Sequence, residues 1–254
     1  MSLHATTIGE SGSRIAFLHG LFGQGKNFTG IAKALVPGAQ SLLIDLPNHG
    51  RSPWTDRVDY VEMADAVAER LRDWAPTHVV GHSMGGKVAM VLALRHPELV
   101  DRLVVVDIAP APSDGSGEFE HLLGSLAGVD LASVHRRSDA EDQLRGPIPN
   151  TTVRNFLLQN LRAGDDGYAW QANLKLLRRD LPAIGGFPHF DATFDHPVLW
   201  VAGDRSDYVR EAHRPEMERL FPAVRLVTVK DSGHWVHSEQ PAAFVSALRV
   251  FLQL

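Results

Sequence analysis

The 254-residue chain contains no cysteine. This absence excludes disulfide scaffolds, cysteine-ligated zinc, iron–sulfur clusters and a thiol nucleophile. No apolar run is long enough to span a bilayer, and the N-terminus lacks the charged and apolar regions of a signal peptide. Basic residues number 25 against 30 acidic ones, with no basic cluster, which argues against nucleic-acid binding. We therefore expect a cytoplasmic protein that does not insert into a membrane.

Short apolar runs alternate with helical patterns along most of the chain. The predicted strands cover residues 14–19, 41–45, 78–81, 103–107, 197–203 and 224–229. Because these runs are apolar on both faces, they predict a mostly parallel central sheet flanked by helices, the α/β class. Residues 110–190 show helical patterns without a strand, between linker patterns at 109–115 and 185–188. We predict a core domain of residues 1–109 and 191–254, interrupted by a helical cap at 110–190.

One turn between a predicted strand and helix carries a nucleophile motif. Gly81-His82-Ser83-Met84-Gly85 fits G-x-S-x-G and lies between the strand at 78–81 and a helix at 87–95. A serine at such a sharp turn needs small neighbours, which glycines two residues before and after it supply. The helix N-terminus also favours negative charge that develops at the serine. Ser83 is therefore the predicted nucleophile.

A serine nucleophile requires a histidine base, and the chain has thirteen histidines. In a sheet of this kind the order along the chain is serine, acid, histidine, so the base should follow the last strand. The segment Asp231-Ser232-Gly233-His234-Trp235 follows the strand at 224–229, and its His234 is the predicted base. We interpret His237 as structural, and His82 and His96 as surface or turn residues.

The acid has two candidate positions. After the strand at 197–203 the sequence has Gly203-Asp204-Arg205-Ser206, with serine where an acid is usual, and Asp204 and Asp207 on either side. Asp107 ends the preceding strand, at the edge of the sheet where sites of such folds form. An acid at either place can hold the imidazole in the required tautomer. We favour Asp107, keep Asp204 and Asp207 as alternatives, and expect Ser206 to hydrogen-bond to the acid.

Two backbone amides should form an oxyanion hole. One belongs to Met84, which follows the nucleophile, and the other to Leu21, in the loop after the first central strand. This chemistry needs no metal and no organic cofactor. Apolar side chains predicted to line a substrate pocket are Phe22, Trp170, Leu174 and Trp235.

The loop after the first central strand also resembles a phosphate-binding loop. Residues 20–26 fit G-x-x-x-x-G-K, but Asn27 stands where a serine or threonine hydroxyl must ligate Mg²⁺. A nucleotide-binding function also leaves Ser83 and His234 without a role. We therefore discount it.

Four segments together resemble the α/β-hydrolase superfamily, and in particular the small YbfF-type acyl esterases. They are His19-Gly20-Leu21-Phe22-Gly23, residues 45–52, residues 81–87 and Gly233-His234-Trp235-Val236-His237, combined with Val105-Val106-Asp107-Ile108-Ala109-Pro110. The resemblance implies an α/β-hydrolase fold with a helical cap inserted after the sixth strand, and it implies that the acid also follows that strand. It further implies hydrolysis of carboxylic esters, or of thioesters such as acyl-CoA.

The expected reaction is acyl transfer from a small-molecule ester to water through an acyl-enzyme. Two other kinds of function stay open. C–C bond hydrolases, lyases and perhydrolases share these motifs, and a carboxylated substrate of a lyase would need a cationic partner such as Arg154 or Arg162 in the cap. Some receptors of this fold keep the triad with little turnover. The chain is expected to be a monomer or a small homo-oligomer.

Overall fold

A computed structural model describes residues 2–113, 116–165 and 167–254, so positions 114 and 115 of the predicted linker lie outside the described residues. The strands, in chain order, are β1 (Ala5–Ile8), β2 (Ser13–Leu18), β3 (Ala39–Ile44), β4 (Thr77–His82), β5 (Val100–Val106), β6 (Leu161–Gly164), β7 (Gly167–Trp170), β8 (Val198–Gly203) and β9 (Val224–Val229). Seven of them form one sheet in the order β1-β3-β2-β4-β5-β8-β9. Only the β1–β3 pair in this sheet is antiparallel.

The helices described are α1 (Thr29–Leu35), α2 (Tyr60–Leu71), α3 (Met84–Arg95), α4 (Ser116–Ala127), α5 (Arg137–Leu144), α6 (Thr151–Leu158), α7 (Leu174–Arg179), α8 (Leu181–Gly185), α9 (Arg214–Leu220), α10 (Val236–Glu239) and α11 (Pro241–Leu252). Short 3₁₀ helices cover Gly25–Phe28, Arg72–Trp74, Pro97–Leu99, Leu131–Ser133 and Glu211–His213. No helix in the described part of the chain has the length and apolar character needed to cross a membrane.

The sheet divides the hydrophobic core into two layers. Successive side chains of a strand point to opposite faces. In β2, Ala16 and Leu18 therefore face the layer that contains α2 and α3, whereas Ile15 and Phe17 face the layer that contains α1 and α11. Helices thus cover both faces of a mostly parallel sheet, as the apolar runs predicted.

The segment between β5 and β8 contains α4 to α8 and differs from the prediction in two respects. It includes the antiparallel hairpin of β6 and β7, although no strand was predicted between residues 110 and 190. Most side chains of these two four-residue strands are exposed or half-buried, so they leave no apolar pattern in the sequence. The segment also follows the fifth strand rather than a sixth, because only five strands of this sheet precede it. Its helices bury apolar residues in the same layer as α2 and α3. The cap boundaries at 110 and 190 stay a prediction.

Candidate active site

Four adjacent strands end at the same edge of the sheet and bring the predicted site residues together. Ser83 follows β4, Asp107 follows β5, Ser206 lies three residues after β8, and His234 lies in the loop after β9. These strands are neighbours in the order β4-β5-β8-β9. Because parallel strands place their carboxyl ends side by side, residues more than 150 positions apart in the chain meet in one cleft.

Ser83 occupies a strained backbone conformation at the turn between β4 and α3. Its φ is 54° and its ψ is −122°, a region that non-glycine residues rarely adopt. The turn closes so tightly that a Cβ on Gly81 would lie 2.3 Å from the carbonyl oxygen of Gly85. A Cβ on Gly85 would lie 2.4 Å from the carbonyl oxygen of His19. Both glycines of the motif are therefore required sterically, and the strain holds the Ser83 side chain at the head of α3.

A chain of hydrogen bonds connects Ser83 with Asp107 through His234. The Ser83 hydroxyl donates to Nε2 of His234 at 2.9 Å, and Nδ1 of His234 donates to Oδ2 of Asp107 at 2.8 Å. Asp107 is completely buried, whereas Ser83 keeps 7% of its surface exposed. The imidazole is therefore held between a buried carboxylate and a hydroxyl that a small molecule can reach.

The carboxylate of Asp107 is fixed by two more donors. The backbone N–H of Gly203 donates to Oδ1 at 3.0 Å, and the hydroxyl of Ser206 donates to Oδ2. Asp107 itself has a φ of 52°, and its backbone N–H donates to the carbonyl of Val201 at 2.9 Å. A buried charge without such donors would cost several kcal/mol. These contacts compensate for the burial of Asp107 and fix the direction in which it faces His234.

The structure does not bring the alternative acids to the imidazole. Asp204 is exposed, and its carboxylate accepts from the backbone N–H of Ser232 at 3.1 Å. Hydrogen bonds from the backbone N–H groups of Ser232 and Asp231 hold the pKa of Asp204 below its usual range. Asp207 is exposed on the wall of a neighbouring cavity. Both ring nitrogens of His234 already have partners, so neither alternative is positioned as the acid.

The two amides predicted to form an oxyanion hole belong to residues that line the cleft at Ser83. Leu21 and Met84 both border this cleft. Met84 is the first residue of α3, so its amide has no acceptor within the helix. The loop that carries Leu21 is anchored by His19, whose Nδ1 donates to the carbonyl of Gly20 at 2.8 Å and whose Nε2 accepts from the N–H of Leu46 at 2.9 Å. Burial lowers the pKa of His19 to about 4, so this anchor stays neutral.

Two buried histidines, His82 and His237, pack next to His234 and to each other. His82 is 4% exposed, which contradicts its interpretation as a surface or turn residue. Its Nε2 donates to the carbonyl of His234 at 2.8 Å, and its ring lies 4.7 Å from the rings of both His234 and His237. Burial first, then the neighbouring histidines, lower the pKa of His82 well below its usual value. Because His82 directly precedes Ser83, its contact fixes the loop of His234 relative to the turn of Ser83. The sequence did contain a signal for the burial of His82, because this residue ends the apolar run of strand β4.

Two further side chains at the site were not found from the sequence. The ring of Tyr208 lies 4.2 Å from that of His234 at an interplanar angle of 31°. Lys87 is 1% exposed, and its Nζ donates to the carbonyls of Gly185 at 2.6 Å and Gly186 at 2.8 Å. Burial lowers the pKa of Lys87 to about 7. Nothing in the helical pattern of 84–95 distinguishes this buried lysine from one on a solvent-exposed face.

The four predicted pocket residues are divided between different places. Neither Phe22 nor Trp235 is among the residues that line the cleft. The ring of Phe22 lies 6.2 Å from that of Phe119, which does line it, and the ring of Trp235 lies 5.6 Å from that of His234. Trp170 and Leu174 line a separate groove that shares no described lining residue with the cleft. They lie at the end of β7 and the start of α7, and β7 packs against the 3₁₀ helix at 131–133. The structure therefore does not bring these two residues to Ser83.

The residues singled out by the lyase and nucleotide-binding hypotheses form hydrogen bonds within the protein. Arg154 is buried, and its guanidinium donates to the carbonyls of Ile148 at 2.9 Å and Pro149 at 2.7 Å. Arg162 is exposed and donates to the side chain of Gln171 at 2.8 Å. Asn27, in the loop that resembles a phosphate-binding loop, donates to the side chain of Gln159 at 2.8 Å.

Comparison with known proteins agrees with this geometry. The profile of the α/β-hydrolase fold family matches residues 14–241. The sn-1-specific diacylglycerol lipase ABHD11 of Danio rerio is 40% identical over 250 residues, which cover 94% of this chain and 78% of that protein. Esterase YbfF of Escherichia coli is 32% identical over 245 residues, which cover 96% of this chain and 94% of YbfF. Among solved structures, a marine microorganism esterase superposes with a TM-score of 0.94 at 35% identity, covering 98% of this chain and 99% of its own.

These comparisons confirm the resemblance that the motifs of the sequence indicated. The profile covers both the turn of Ser83 and the loop of His234. The seven-stranded, mostly parallel sheet flanked by helices is the fold that the profile describes. The chain belongs to the α/β-hydrolase family.

Proposed function

We propose that this protein hydrolyses carboxylic esters or thioesters through a Ser83–His234–Asp107 triad and an acyl-enzyme. The observation that carries the proposal is the unbroken chain of hydrogen bonds from the Ser83 hydroxyl in the cleft, through His234, to the buried Asp107 carboxylate. Such an arrangement activates a hydroxyl that is otherwise a weak nucleophile.

In the acylation step, the Ser83 oxygen attacks the carbonyl carbon of the ester while Nε2 of His234 takes the hydroxyl proton. Collapse of the tetrahedral intermediate breaks the bond to the leaving group, which receives that proton from His234. Asp107 stabilises the imidazolium and keeps Nδ1 protonated, since its Oδ2 lies 2.8 Å from that nitrogen. Water then attacks the acyl-enzyme, with His234 as base, and releases the acid and Ser83.

The negative charge of the intermediate lies on the former carbonyl oxygen. We assign its stabilisation to the backbone amides of Leu21 and Met84, which border the cleft beside Ser83. Removal of one such donor in other serine hydrolases costs about 10²–10³ in kcat. The N-terminus of α3, where Met84 lies, adds a favourable dipole.

Relatives with esterase and lipase names support ester hydrolysis. The lipases are named for diacylglycerol, and for this chain we propose esters of small to medium acyl groups. A lyase or C–C hydrolase acting on a carboxylated substrate is less well supported, because Arg154 and Arg162 already hold partners within the protein. A perhydrolase would use the same acyl-enzyme with hydrogen peroxide in place of water. A receptor would bind a ligand without turnover.

The Ser83→Ala variant tests the proposal. We expect it to lose p-nitrophenyl acetate hydrolysis and covalent labelling by a fluorophosphonate, with an unchanged circular dichroism spectrum. Ser246→Ala is the matched control, because Ser246 is an exposed serine on α11. Turnover retained by Ser83→Ala would refute the nucleophile. Labelling of the wild type without turnover of any ester or thioester would favour the receptor.

A further inference from the structure

Lys87 is a buried cation that the proposed mechanism does not use. Its side chain is 1% exposed, and it lines the cleft together with Ser83. No carboxylate is among the described residues that line this cleft, so the ammonium has no opposite charge there. Burying an unpaired charge is costly, and an apolar side chain of similar length would fill the same space without that cost. The contacts of Lys87 show what the charge does instead.

The side chain of Lys87 binds the chain where it leaves the segment between β5 and β8. Its Nζ lies 3.4, 2.6 and 2.8 Å from the carbonyl oxygens of Ile184, Gly185 and Gly186. These carbonyls stand at the C-terminal end of α8, where the helix supplies no further N–H groups to bind them. An ammonium has three N–H donors, so each carbonyl receives one of them.

The chain enters the same segment next to this exit. The backbone N–H of Ser113 donates to the carbonyl of Gly185 at 2.9 Å, and the Ser113 hydroxyl lies 3.3 Å from the same oxygen. Ser113 is the last described residue before α4, so the entering and leaving chains meet at Gly185. We call Ser113 and residues 184–186 the neck. The Tyr60 hydroxyl, from α2, also donates to the neck, to the carbonyl of Ile184 at 2.6 Å.

Lys87 is also part of the turn that carries Ser83. It lies about one helical turn after Ser83, and its backbone N–H donates to the carbonyl of Ser83 at 3.1 Å. Ser113, Ile184 and Gly185 of the neck line the cleft at Ser83. A single residue therefore connects the turn of Ser83 with one wall of the cleft.

We infer that Lys87 is a positioning residue whose ammonium holds the neck against the turn of Ser83, and that loss of its proton loosens the neck and slows ester hydrolysis. A neutral amine has two N–H groups, so one of the three carbonyls loses its donor when the proton leaves. A displaced wall no longer holds the ester in the reactive geometry at Ser83, which lowers kcat/KM. The inference rests on the proposed function, because it concerns the cleft in which the ester reacts.

The proton of Lys87 is lost within a range that is easily reached in an assay. Burial lowers the pKa of Lys87 to about 7. The ammonium therefore predominates below that pH, where the neck has all three bonds, and the neutral amine predominates above it. The activity that depends on Lys87 is present at pH 6 and is lost as the pH rises through about 7.

Two tyrosines are the titratable groups that face Lys87 from α2 and from the loop after β8. The ring of Tyr60 lies 5.9 Å from Lys87 Nζ, and burial raises the pKa of its phenol. Tyr208 lines the same cleft, and its pKa is also raised, chiefly by burial. Both phenols therefore stay neutral while Lys87 titrates.

The charged groups of the helices packed at the neck are paired or exposed. On α8, the Asp180 carboxylate pairs with Arg179 at 2.6 Å. On α4, Glu120 pairs with Arg178 at 2.7 Å, and Glu118 is exposed. These carboxylates are ionised throughout the range in which Lys87 loses its proton, so they do not add to the change.

The pH dependence of a ratio of rates tests the inference. Lys87→Gln has at most two N–H donors and no titratable group, and Lys87→Met has no donor. We expect the wild-type kcat/KM for p-nitrophenyl acetate, corrected for the rate with Ser83→Ala, to exceed that of either variant at least about fivefold at pH 6. This ratio should decrease at least about threefold between pH 6 and pH 9.

The control is Lys175→Gln, because Lys175 is an exposed lysine on α7 in the same segment. Its ratio should stay near one at every pH. His234 titrates in all of these proteins alike, so its contribution cancels in the ratio. A wild-type-to-variant ratio that stays constant between pH 6 and pH 9 would overturn the inference, because a purely structural role of Lys87 does not depend on its proton.

Amide hydrogen exchange of the wild type covers the case in which the Lys87 variants do not fold. After correction for intrinsic exchange, protection of residues 181–186 should decrease at least about threefold from pH 6 to pH 8.5, while that of α11 stays unchanged. Equal protection of residues 181–186 at both pH values would overturn the inference. Exchange needs no substrate, so pH-dependent protection without turnover of any ester would refute the proposed function and leave the attachment of the neck by Lys87 standing.

Discussion

Replacing Asp107 by asparagine tests the acid with the change of a single functional group. Oδ2 of Asp107 accepts from His234 and Ser206, and Oδ1 accepts from the backbone N–H of Gly203. The amide nitrogen of asparagine can only donate. Whichever oxygen it replaces, it faces a group that donates in the wild type.

The size of the effect depends on how His234 responds. If the new amide donates to Nδ1, the imidazole must carry its proton on Nε2. In the wild type Nε2 accepts a hydrogen bond from the Ser83 hydroxyl, whereas a protonated Nε2 can only donate to it. The base is lost without loss of geometry, and the equivalent change in a serine protease lowers kcat by about 10⁴, or about 5.5 kcal/mol. If the amide instead faces Gly203, a buried N–H loses its acceptor at a cost of about 1–3 kcal/mol in stability.

The assay compares Asp107→Asn with Asp204→Asn on p-nitrophenyl acetate, with urea unfolding to measure stability separately. Asp204→Asn is the matched control, because its side-chain oxygen can still accept from the N–H of Ser232. We expect kcat to fall about 10³- to 10⁴-fold for Asp107→Asn and less than about twofold for Asp204→Asn. A large loss in Asp204→Asn with activity retained in Asp107→Asn would refute the reasoning.

Three further predictions follow from single contacts. Ser206→Ala removes a hydrogen bond to the buried Asp107 carboxylate and should lower the free energy of unfolding in urea by about 1.5–3 kcal/mol, with Ser206→Thr as the variant that restores it. Gly85→Ala would place a Cβ 2.4 Å from the carbonyl oxygen of His19, so both kcat and the melting temperature should fall; an unchanged melting temperature would contradict the steric argument. Burial lowers the pKa of His237 to about 4, so between pH 6.5 and pH 4 the unfolded chain binds a proton that the folded chain does not, and stability decreases as the pH falls. His237→Phe should therefore reduce the loss of unfolding free energy between pH 7.5 and pH 5 by about 2 kcal/mol, and an acid limb identical to that of the wild type would argue against this origin.

The buried strands of the sheet were predictable because their apolar runs are long and have clear ends. The predicted strand at 197–203 differs by one residue from β8, which is buried along its whole length. The predicted strand at 224–229 coincides with β9, although four of the six residues of β9 are exposed. Each run is closed by glycine or by a polar residue, which marks where the strand ends. The site residues follow these ends directly, so the position of each strand also predicted the edge at which they meet.

The short strands β1, β6 and β7 were not predictable because they contain no such apolar run. β1 (Ala5–Ile8) is half-buried or exposed at all four residues, and the hairpin of β6 and β7 buries only Leu161. Short strands on the surface are stabilised by pairing with a neighbour, which a local pattern does not contain. The three consecutive β-branched residues before Gly9, Thr6-Thr7-Ile8, were the available signal for β1.

The residues that line the cleft at Ser83 could not be predicted from the sequence either. Trp170 and Leu174 are apolar and lie in the segment between β5 and β8, but the residues of this segment that line the cleft at Ser83 include Phe119, Leu181 and Ile184. Which apolar face of a helix in this segment lines the cleft at Ser83 depends on how the helices pack on the sheet. Periodicity predicts that a face is buried, and not which neighbour it contacts.

The acid after β5 and the serine after β8 are best understood as a pair. Both positions follow the carboxyl ends of adjacent parallel strands, and both side chains meet at Oδ2 of Asp107, where His234 also donates. A carboxylate at position 206 would stand within hydrogen-bond distance of the Asp107 carboxylate, and two like charges there would raise the pKa of one of them. A serine at 206 instead donates a hydrogen bond to the buried side chain of Asp107. The departure of Gly203-Asp204-Arg205-Ser206 from the expected pattern is thus consistent with an acid that reaches His234 from the neighbouring strand.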